Sequence, residues 1–288
     1  MKPRRNDYDI TNRIQTTDLL SVESEITRIF RVLYPGVAHD SMSRAFRDIG
    51  LLYSGAHPDY HACDTGYHDL QHVMDVTLAM SRLMDGYERA RTNTPALGVK
   101  VFQLGIITAL FHDMGYLRKM DDTVAQNGAF YTLSHVSRGA AFLRQYLSTV
   151  GLAEFAEAGA ELIHFTGFEK RVAEILIDDP LLRLLGSLLG SADIIAQLAD
   201  RCYLEKCRDR LYPEFVAGGI AENKDAAGNR NIVYSSGEDL VHKTPIFFES
   251  AIKRLESDLG GAYNYAAAHF GGFNLYFHEA TKNVHFAK

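Results

Sequence analysis

Histidines and aspartates recur through the middle of the chain at positions that suit a metal site. His68 and His72 are four residues apart, so in a helix they would lie on one face, about one turn apart. The adjacent pair His112-Asp113 ends an almost wholly apolar segment. A carboxylate buried there without a partner would cost several kcal/mol, and a bound metal ion would offset that cost. Both pairs are therefore candidate ligands, although a hydrogen-bonded His–Asp pair is the alternative for the second.

Asp193 stands in another apolar segment. Gly186 and Gly190 precede it on the same helical stripe. A glycine inside a helix costs about 1 kcal/mol relative to alanine, so both need a packing reason. We interpret them as places where another element packs closely beside the Asp193 carboxylate. His135 and His164 lie between the two segments. For each of them, the alternative to a metal ligand is a core histidine whose ring nitrogens are hydrogen-bonded within the protein.

In chain order, these residues form one ligand set. Four imidazoles and two carboxylates suit Zn, Fe, Mn or a mixed pair of ions rather than a thiolate-preferring metal. Four of the residues would make one site, and His135 and His164 would complete a second, with Asp113 bridging the two ions. The set comprises His72, His112, Asp113, His135, His164 and Asp193.

Helical periodicity dominates the segments that must position these residues. Apolar residues recur at three- and four-residue steps from Leu19 to Leu33 and again from Ser41 to Tyr53. Ser134 is a candidate N-cap for the helix that begins with His135. Helices are predicted over 19–33, 41–53, 68–84, 97–117, 134–150, 152–166, 171–177, 181–199, 201–217, 245–259 and 262–270, and a long surface loop over 218–242.

Strand-like alternation is nearly absent from the sequence. The predicted fold class is therefore all-α, a helical bundle with a metal site between its core helices. We expect one domain over residues 1–288. Its motif-bearing core covers about 60–200, and residues 201–288 form a helical extension that packs on this core.

The composition is that of an ordinary globular protein, and its charge restricts the kinds of partner that the protein is expected to bind. Of the 288 residues, 47% are apolar, and the net charge is −6 with histidine neutral. A nucleic-acid surface or a surface for anionic membranes would need an excess of basic residues, so we expect neither. The apolar stretch Leu97–Leu117 contains Lys100, His112 and Asp113, so it predicts a buried helix rather than a membrane span.

The cysteines and the N-terminus indicate a cytoplasmic protein. Cys63, Cys202 and Cys207 form an odd set without a C-x-x-C pair, which argues against a disulfide framework and a cysteine zinc site. We expect reduced thiols. The basic first residues run into polar ones, without the apolar stretch of a secretory signal.

The ordered ligand set resembles that of the HD superfamily of metal-dependent phosphohydrolases, which is named for the adjacent His-Asp pair, here His112-Asp113. The Tyr-His-x-x-x-His run at 67–72 is similar to the first motif of the cyclic-nucleotide phosphodiesterases within that fold. The resemblance covers about residues 60–200 with its motifs. It implies a helical bundle that holds two divalent metal ions through the six ligands named above.

The resemblance also implies the chemistry. Two divalent ions, with Zn, Fe, Mn and Mg as candidates, would hold a hydroxide that attacks phosphorus in line. His68, four residues before the first ligand, would donate a proton to the leaving oxygen. Asp113 would anchor metal and orient the nucleophile. The substrate would be a small phosphoester, either a phosphodiester or a nucleotide.

Several positions depart from the phosphodiesterase branch. Asp69 stands in place of an asparagine, and Tyr116 stands in place of a further histidine. Ala196 replaces a second asparagine, and no glutamine follows Gln197 to hold a purine. The metal ligands are thus retained, whereas a pocket that reads a cyclic nucleotide is not evident.

Two alternative functions share the same ligands. The HD fold also includes di-iron oxygenases with this six-ligand order, and a nucleotide-binding sensor would keep the fold with an idle site. The pair Tyr67-His68 favours hydrolysis, because an oxygenase has no need of a proton donor there. The intact ligand set argues against the idle sensor.

The sequence assigns no substrate-binding residues and no oligomeric state. Aromatic residues near the C-terminus are candidates for a base pocket, although their spacing is more typical of a core. Lys243 and Arg254 could meet a phosphate, although a solvated surface position is favoured for both. The aromatic candidates are Phe247, Phe248, Phe270, Phe273 and Tyr276.

Overall fold

A computed structural model gives the fold and describes residues 5–224 and 230–287. Within these ranges helices carry nearly all of the regular structure, so the all-α prediction is confirmed. The α-helices are α1 (Leu19–Leu33), α2 (Asp40–Ser54), α3 (Leu70–Ala90), α4 (Gly98–Phe111), α5 (His135–Thr149), α6 (Ala156–Leu162), α7 (Pro180–Ala199), α8 (Tyr203–Lys206), α9 (Tyr212–Ala217), α10 (Gly237–His242), α11 (Thr244–Lys253), α12 (Tyr265–His269) and α13 (Leu275–Ala287). An antiparallel hairpin of β1 (Glu222–Lys224) and β2 (Arg230–Ile232) lies between α9 and α10, with Glu222 opposite Ile232.

Helices α3, α4 and α7 pack against one another at the centre of the fold. Every residue of α4 from Phe102 to Phe111 is buried, as its apolar sequence predicts. Gly105 lets α4 approach its neighbours closely, because a Cβ atom there would lie 2.8 Å from Met84 Sδ of α3 and 2.9 Å from Leu185 Cδ1 of α7. These three helices supply most of the site described below.

The two glycines of α7 have the packing role that the sequence predicts for them. A Cβ atom at Gly186 would lie 2.5 Å from the ring of Phe165, and one at Gly190 would lie 2.5 Å from the backbone oxygen of Phe165. The turn that follows α6 therefore rests directly on α7. Asp193 follows Gly190 by about one helical turn, beside this contact.

The start of α3 differs from the prediction. The helix begins at Leu70 and His68 lies in the turn before it, so His68 and His72 do not share a helical face. Asp69 causes this, because it is the N-cap residue and its carboxylate accepts a hydrogen bond from the backbone N of His72 at 3.0 Å. Aspartate and asparagine cap helices about equally well, so an asparagine at this position would support the same start of α3.

Several other predicted elements also differ. The segment 152–166 breaks into α6 with a 3-10 turn on each side, and 171–177 holds only the 3-10 turn Val172–Glu174. The region 218–242 is not one loop, since it carries the hairpin and α10. Residues 225–229 of that predicted loop lie outside the described residues.

The C-terminal helices pack back onto the central ones, α12 on α3 and α13 on α7. A buried ionic group joins the N-terminal segment to the same helices. Arg82 of α3 donates hydrogen bonds to Asp9 Oδ2 at 2.5 Å and to the hydroxyl of Tyr276 in α13 at 3.0 Å. We call these three buried residues the Asp9 clamp.

One helix in the described ranges, α7, is long and apolar enough to cross a membrane by length and composition alone. Most of its apolar stretch is buried inside the fold, as in the core helix of a globular protein. The segment Leu97–Leu117 does not form such a helix, because α4 within it has only 14 residues.

Candidate metal centre

Side chains from α3, α7 and the end of α4 converge in the centre of the fold. His72 lies in the first turn of α3, His112 is the C-cap residue of α4, and Asp113 follows it. These three residues are 7%, 1% and 3% exposed. Asp193 reaches the same place from α7. We call the four residues the His–Asp cluster.

The ligand atoms of the His–Asp cluster face one another. Asp113 Oδ2 lies 3.3 Å from His72 Nε2 and 3.2 Å from His112 Nε2, and the two Nε2 atoms are 3.3 Å apart. Asp193 Oδ1 lies 3.5 Å from His72 Nε2 and 4.0 Å from His112 Nε2. The four residues that the resemblance assigns to one metal ion therefore converge.

The hydrogen bonds around the His–Asp cluster suit a cation at its centre. His112 Nδ1 donates to the backbone oxygen of Ala109 at 2.8 Å, which leaves Nε2 as the nitrogen that faces Asp113. Metal-binding histidines commonly donate their second ring N–H in this way. Asp113 Oδ2 is buried, and no group in the described residues donates a hydrogen bond to it. Since buried carboxylate oxygens are normally satisfied, this oxygen fits a metal ligand.

The charges of the cluster act on one another strongly. Burial opposes the charged form of Asp113, but the charges of His112 and His68 and the contacts with the imidazoles of His112 and His72 together outweigh it, and they hold the pKa of Asp113 well below its usual range. Burial likewise opposes protonation of His112, but the charges of Asp113 and Asp193 raise its pKa to about 9. The cluster thus favours a positive charge between its carboxylates, which a divalent cation would supply in competition with protons.

His135 approaches Asp113 from the other side. Its Nε2 lies 3.7 Å from Asp113 Oδ1, whereas Oδ2 faces the histidines of the cluster. His135 Nδ1 donates to the backbone oxygen of Thr132 at 2.8 Å. Burial lowers the pKa of His135 and favours its neutral form. The two oxygens of Asp113 therefore face separate imidazoles, an arrangement that suits the bridging role expected for this carboxylate.

Glu169 holds the start of α5, which carries His135. The helix begins as the sequence predicts, but the hydroxyl of Ser134 makes no capping hydrogen bond. The Glu169 carboxylate replaces it, accepting from Val136 N at 3.0 Å and from Ser137 N at 3.1 Å. No local pattern in the sequence signals this cap, because Glu169 belongs to a distant loop.

His164 remains apart from the other expected ligands. It lies in the 3-10 turn Ile163–Phe165 and is 4% exposed. Within the described residues it makes no ion pair with Asp113 or Asp193, and its buried Nδ1 has no hydrogen-bond partner. Burial lowers the pKa of His164, and the charge of Lys170 adds to this effect. Its role as a ligand of a second metal ion stays a prediction.

His68 is held by a buried carboxylate that the sequence did not reveal. His68 Nδ1 donates to Glu214 Oε2 at 2.7 Å, and the other oxygen of Glu214 accepts from the backbone N of Tyr67 and of His68. Glu214 belongs to α9 and is 5% exposed. Burial opposes protonation of His68, but the hydrogen bond with Glu214 and the charge of Asp113 raise its pKa above the ordinary value.

Tyr116 occupies the position where the phosphodiesterase branch has a further histidine. Its buried ring stacks on His68 with centroids 4.4 Å apart and on His135 with centroids 4.3 Å apart. The interplanar angles are 15° and 22°. The tyrosine therefore fixes the planes of both imidazoles, which a smaller residue would leave free to turn.

His68, Tyr116, His135 and three members of the His–Asp cluster line a cavity of about 370 Å³, a size typical of small-molecule sites. Residues between Tyr203 and Phe247 supply much of its remaining lining, so the predicted C-terminal extension helps to form the site. Among the aromatic candidates named from the sequence, Phe247 lines the cavity and the others do not. The lining includes Tyr67, His68, His72, Asp113, Tyr116, His135, Glu169, Asp193, Gln197, Tyr203, Cys207, Leu211, Phe215, Tyr234, Lys243 and Phe247.

The two basic candidates differ in position. Lys243 lines the cavity, with its Nζ donating to Val233 O at 2.7 Å and to Asp239 Oδ2 at 2.9 Å. Arg254 is buried instead of lying on the surface, so that expectation is wrong. Its guanidinium donates to the backbone oxygens of Phe165 and Gly167, at 2.8 Å and 2.7 Å.

Comparisons with models of known protein families, with curated proteins and with solved structures found no match to this chain. The assignment to the HD superfamily stays a prediction from the residue pattern.

Proposed function

We propose that the protein is a metal-dependent phosphohydrolase that cleaves a phosphodiester or a nucleotide, as the resemblance to the HD superfamily implies. One observation carries the proposal. A histidine held by a buried carboxylate, His68 with Glu214, lines the same cavity as a cluster of metal-ligand side chains. This combination provides both a binding place for a phosphoryl group and a proton for its leaving oxygen.

The His–Asp cluster would hold one divalent ion, and His135 with Asp113 Oδ1 would contribute to a second. Nitrogen and oxygen ligands of this kind suit Zn, Fe, Mn or Mg. Bound ions would polarise the phosphoryl oxygens and make water a stronger nucleophile. The chain itself contributes the bridging orientation of Asp113 and the second hydrogen bond of each imidazole, which fixes its tautomer.

His68 would act as the proton donor. Because its Nδ1 proton is held by Glu214, the proton at Nε2 is the one available to a leaving oxygen. Glu214 keeps the ring in one orientation and stabilises its protonated form, and Tyr116 holds the plane of the ring from one side. Asp113 would act as metal ligand and orient the attacking group.

A di-iron oxygenase is the second candidate, because the same ligand types serve that chemistry and much of the cavity wall is apolar. The ion pair of His68 with Glu214 favours hydrolysis, since oxygen activation does not require a fixed proton donor for a leaving group. A nucleotide-binding sensor with an idle site is the third, and the complete His–Asp cluster argues against it.

Metal analysis followed by a substrate panel tests the proposal. The purified chain would be analysed for bound metal and then assayed with bis(p-nitrophenyl) phosphate and cyclic and linear nucleotides in Mn²⁺, Mg²⁺, Zn²⁺ or Fe²⁺. We expect metal-dependent release of p-nitrophenol or inorganic phosphate. Bound iron with an oxygen-dependent optical change and no hydrolysis would replace the proposal by the oxygenase.

A further inference from the structure

The cavity has two walls of different chemistry. One wall carries ionisable side chains, namely His68, His135, Glu169 and three members of the His–Asp cluster, His72, Asp113 and Asp193. The other wall, which we call the C-terminal wall, comes from residues 203–247 and is largely aromatic and aliphatic. Its main lining residues are Tyr203, Cys207, Leu211, Phe215, Tyr234 and Phe247.

The C-terminal wall offers little to a charged or strongly polar ligand. Lys243 is the only charged residue that it contributes among the described lining residues, and its Nζ already bonds to Val233 O and Asp239 Oδ2. No arginine lines the cavity within the described part of the chain. A polyphosphate would therefore lack the cations that normally bind its additional charges.

The same wall is well suited to an apolar group. Phe215 and Tyr234 stack with centroids 5.7 Å apart at 28°, and Leu211 and Leu240 line the same cavity. Gln197, the amide in the lining that could read a base edge, lies on α7 beyond Asp193 and not on the C-terminal wall. The hydroxyl groups of this wall belong to Tyr203, Tyr234 and Thr244, and among the described lining residues the wall has no amide or carboxylate side chain. A purine placed against it would pair only part of its hydrogen-bonding edge, which costs affinity.

We propose that the substrate is a phosphoester with a single phosphate whose remaining part is an alkyl or aryl group, rather than a nucleotide. The phosphate would lie at the His–Asp cluster and the apolar group against the C-terminal wall. This inference rests on the proposed function and narrows its substrate class.

Calorimetry with non-hydrolysable probes tests this inference without measuring turnover. Methyl-, butyl- and octylphosphonate would be titrated into the full chain with Mn²⁺, and the phosphonate analogue of AMP, in which a methylene replaces the ester oxygen, would serve as the nucleotide probe. We expect the affinity to rise at least about twofold per methylene, and so at least about 100-fold from methyl- to octylphosphonate. The AMP analogue should bind more weakly than octylphosphonate. Equal affinity for the three phosphonates, or tighter binding of the AMP analogue, would overturn the inference.

Two adjacent phenylalanines of α11 provide a matched control. Phe247 lines the cavity, whereas Phe248 packs toward Phe277 with ring centroids 6.3 Å apart. Both side chains are half-buried. We expect Phe247→Ala to weaken octylphosphonate binding at least about fivefold and to leave methylphosphonate unchanged. Phe248→Ala should leave both affinities unchanged, and equal losses in the two variants would contradict the assignment of the wall.

A turnover assay separates failure of this inference from failure of the proposed function. The chain would be given hexyl p-nitrophenyl phosphate and a cyclic nucleotide under the same conditions. Faster hydrolysis of the alkyl ester supports the inference. Faster hydrolysis of the nucleotide would overturn the substrate class while keeping the hydrolase, and no hydrolysis of any phosphoester would overturn both.

Discussion

Two buried carboxylates of this protein, Asp9 and Asp113, have opposite surroundings. Asp9 is fully satisfied, since its Oδ1 accepts from the backbone N of Arg13 and of Ile14, each at 3.0 Å, and its Oδ2 accepts from Arg82. Asp113 Oδ2 receives no hydrogen bond in the described residues and faces imidazole nitrogens instead. A buried carboxylate whose two oxygens are both hydrogen-bonded is a structural feature, whereas a buried carboxylate oxygen without a donor fits a metal ligand.

This difference also predicts which substitutions change the stability of the fold and which change metal binding and turnover. Removing one partner of a satisfied buried pair leaves the other charge uncompensated, so the Asp9 clamp should control the free energy of unfolding. Changes around the His–Asp cluster should alter metal binding and turnover and have a smaller effect on folding. The variants below test this separation, from the largest expected effect to the smallest.

His68→Ala should lose most of the turnover and keep its metal. Loss of a general acid costs about 10²- to 10⁴-fold in rate, and His68 is outside the His–Asp cluster. The measurements are kcat on an activated phosphodiester and metal content per chain. His285→Ala, which changes an exposed histidine, is the control. Normal turnover in His68→Ala would remove the histidine from the mechanism.

Asp9→Asn should lose about 3–5 kcal/mol of unfolding free energy, because Arg82 would remain buried without its partner. Urea denaturation followed by circular dichroism measures this loss. Asp121→Asn, at an exposed aspartate, should change stability by less than about 0.5 kcal/mol. Equal free energies of unfolding in Asp9→Asn and Asp121→Asn would show that the Asp9 clamp does not stabilise the fold.

Tyr116→Leu should lower kcat about tenfold, whereas Tyr116→Phe should stay within about twofold of the wild type. The aromatic stack is worth about 0.5–1.5 kcal/mol, and phenylalanine keeps it. Steady-state measurement of kcat for both variants, at equal metal content, tests this prediction. Equal losses in the two variants would show that the hydroxyl, and not the stacked ring, is what the site needs.

The Asp9 clamp should also make the fold sensitive to acid. Burial opposes the Asp9 charge, but the charge of Arg82 and the backbone hydrogen bonds outweigh it and lower the pKa of Asp9 below its ordinary value of 3.8. The stability from this carboxylate is therefore complete above about pH 4 and is lost as the pH falls through the lowered pKa. Tm measured between pH 6 and pH 2.5 should fall less steeply in Asp9→Asn than in the wild type. Parallel curves would contradict the linkage.

The helices that build the site were largely predictable from the sequence, because apolar residues at three- and four-residue spacing identify a buried helical face. Helix α5 begins at the predicted residue, and α4 ends immediately before the predicted ligands His112 and Asp113. The glycines of α7 were predicted to mark a close contact, and Phe165 makes it. At each of these positions, the local sequence pattern agrees with the burial of the side chains in the structure.

The side chains that orient the site could not be predicted. Glu214 reaches His68 across 146 residues, and Glu169 caps α5 in place of Ser134. Such contacts depend on tertiary packing and leave no periodic signal. The amphipathic pattern of residues 68–84 predicts a helix that begins at His68, but the capping carboxylate of Asp69 starts the helix at Leu70.

The most direct test of the metal centre is the metal content of two aspartate variants. Wild type, Asp113→Ala and Asp9→Asn would be dialysed against Mn²⁺, checked for folding by circular dichroism and analysed by mass spectrometry of the metal. We expect bound metal in the wild type and in Asp9→Asn, and a loss of at least about tenfold in Asp113→Ala. Full occupancy in a folded Asp113→Ala variant, or equal loss in Asp9→Asn, would contradict the assignment of the His–Asp cluster.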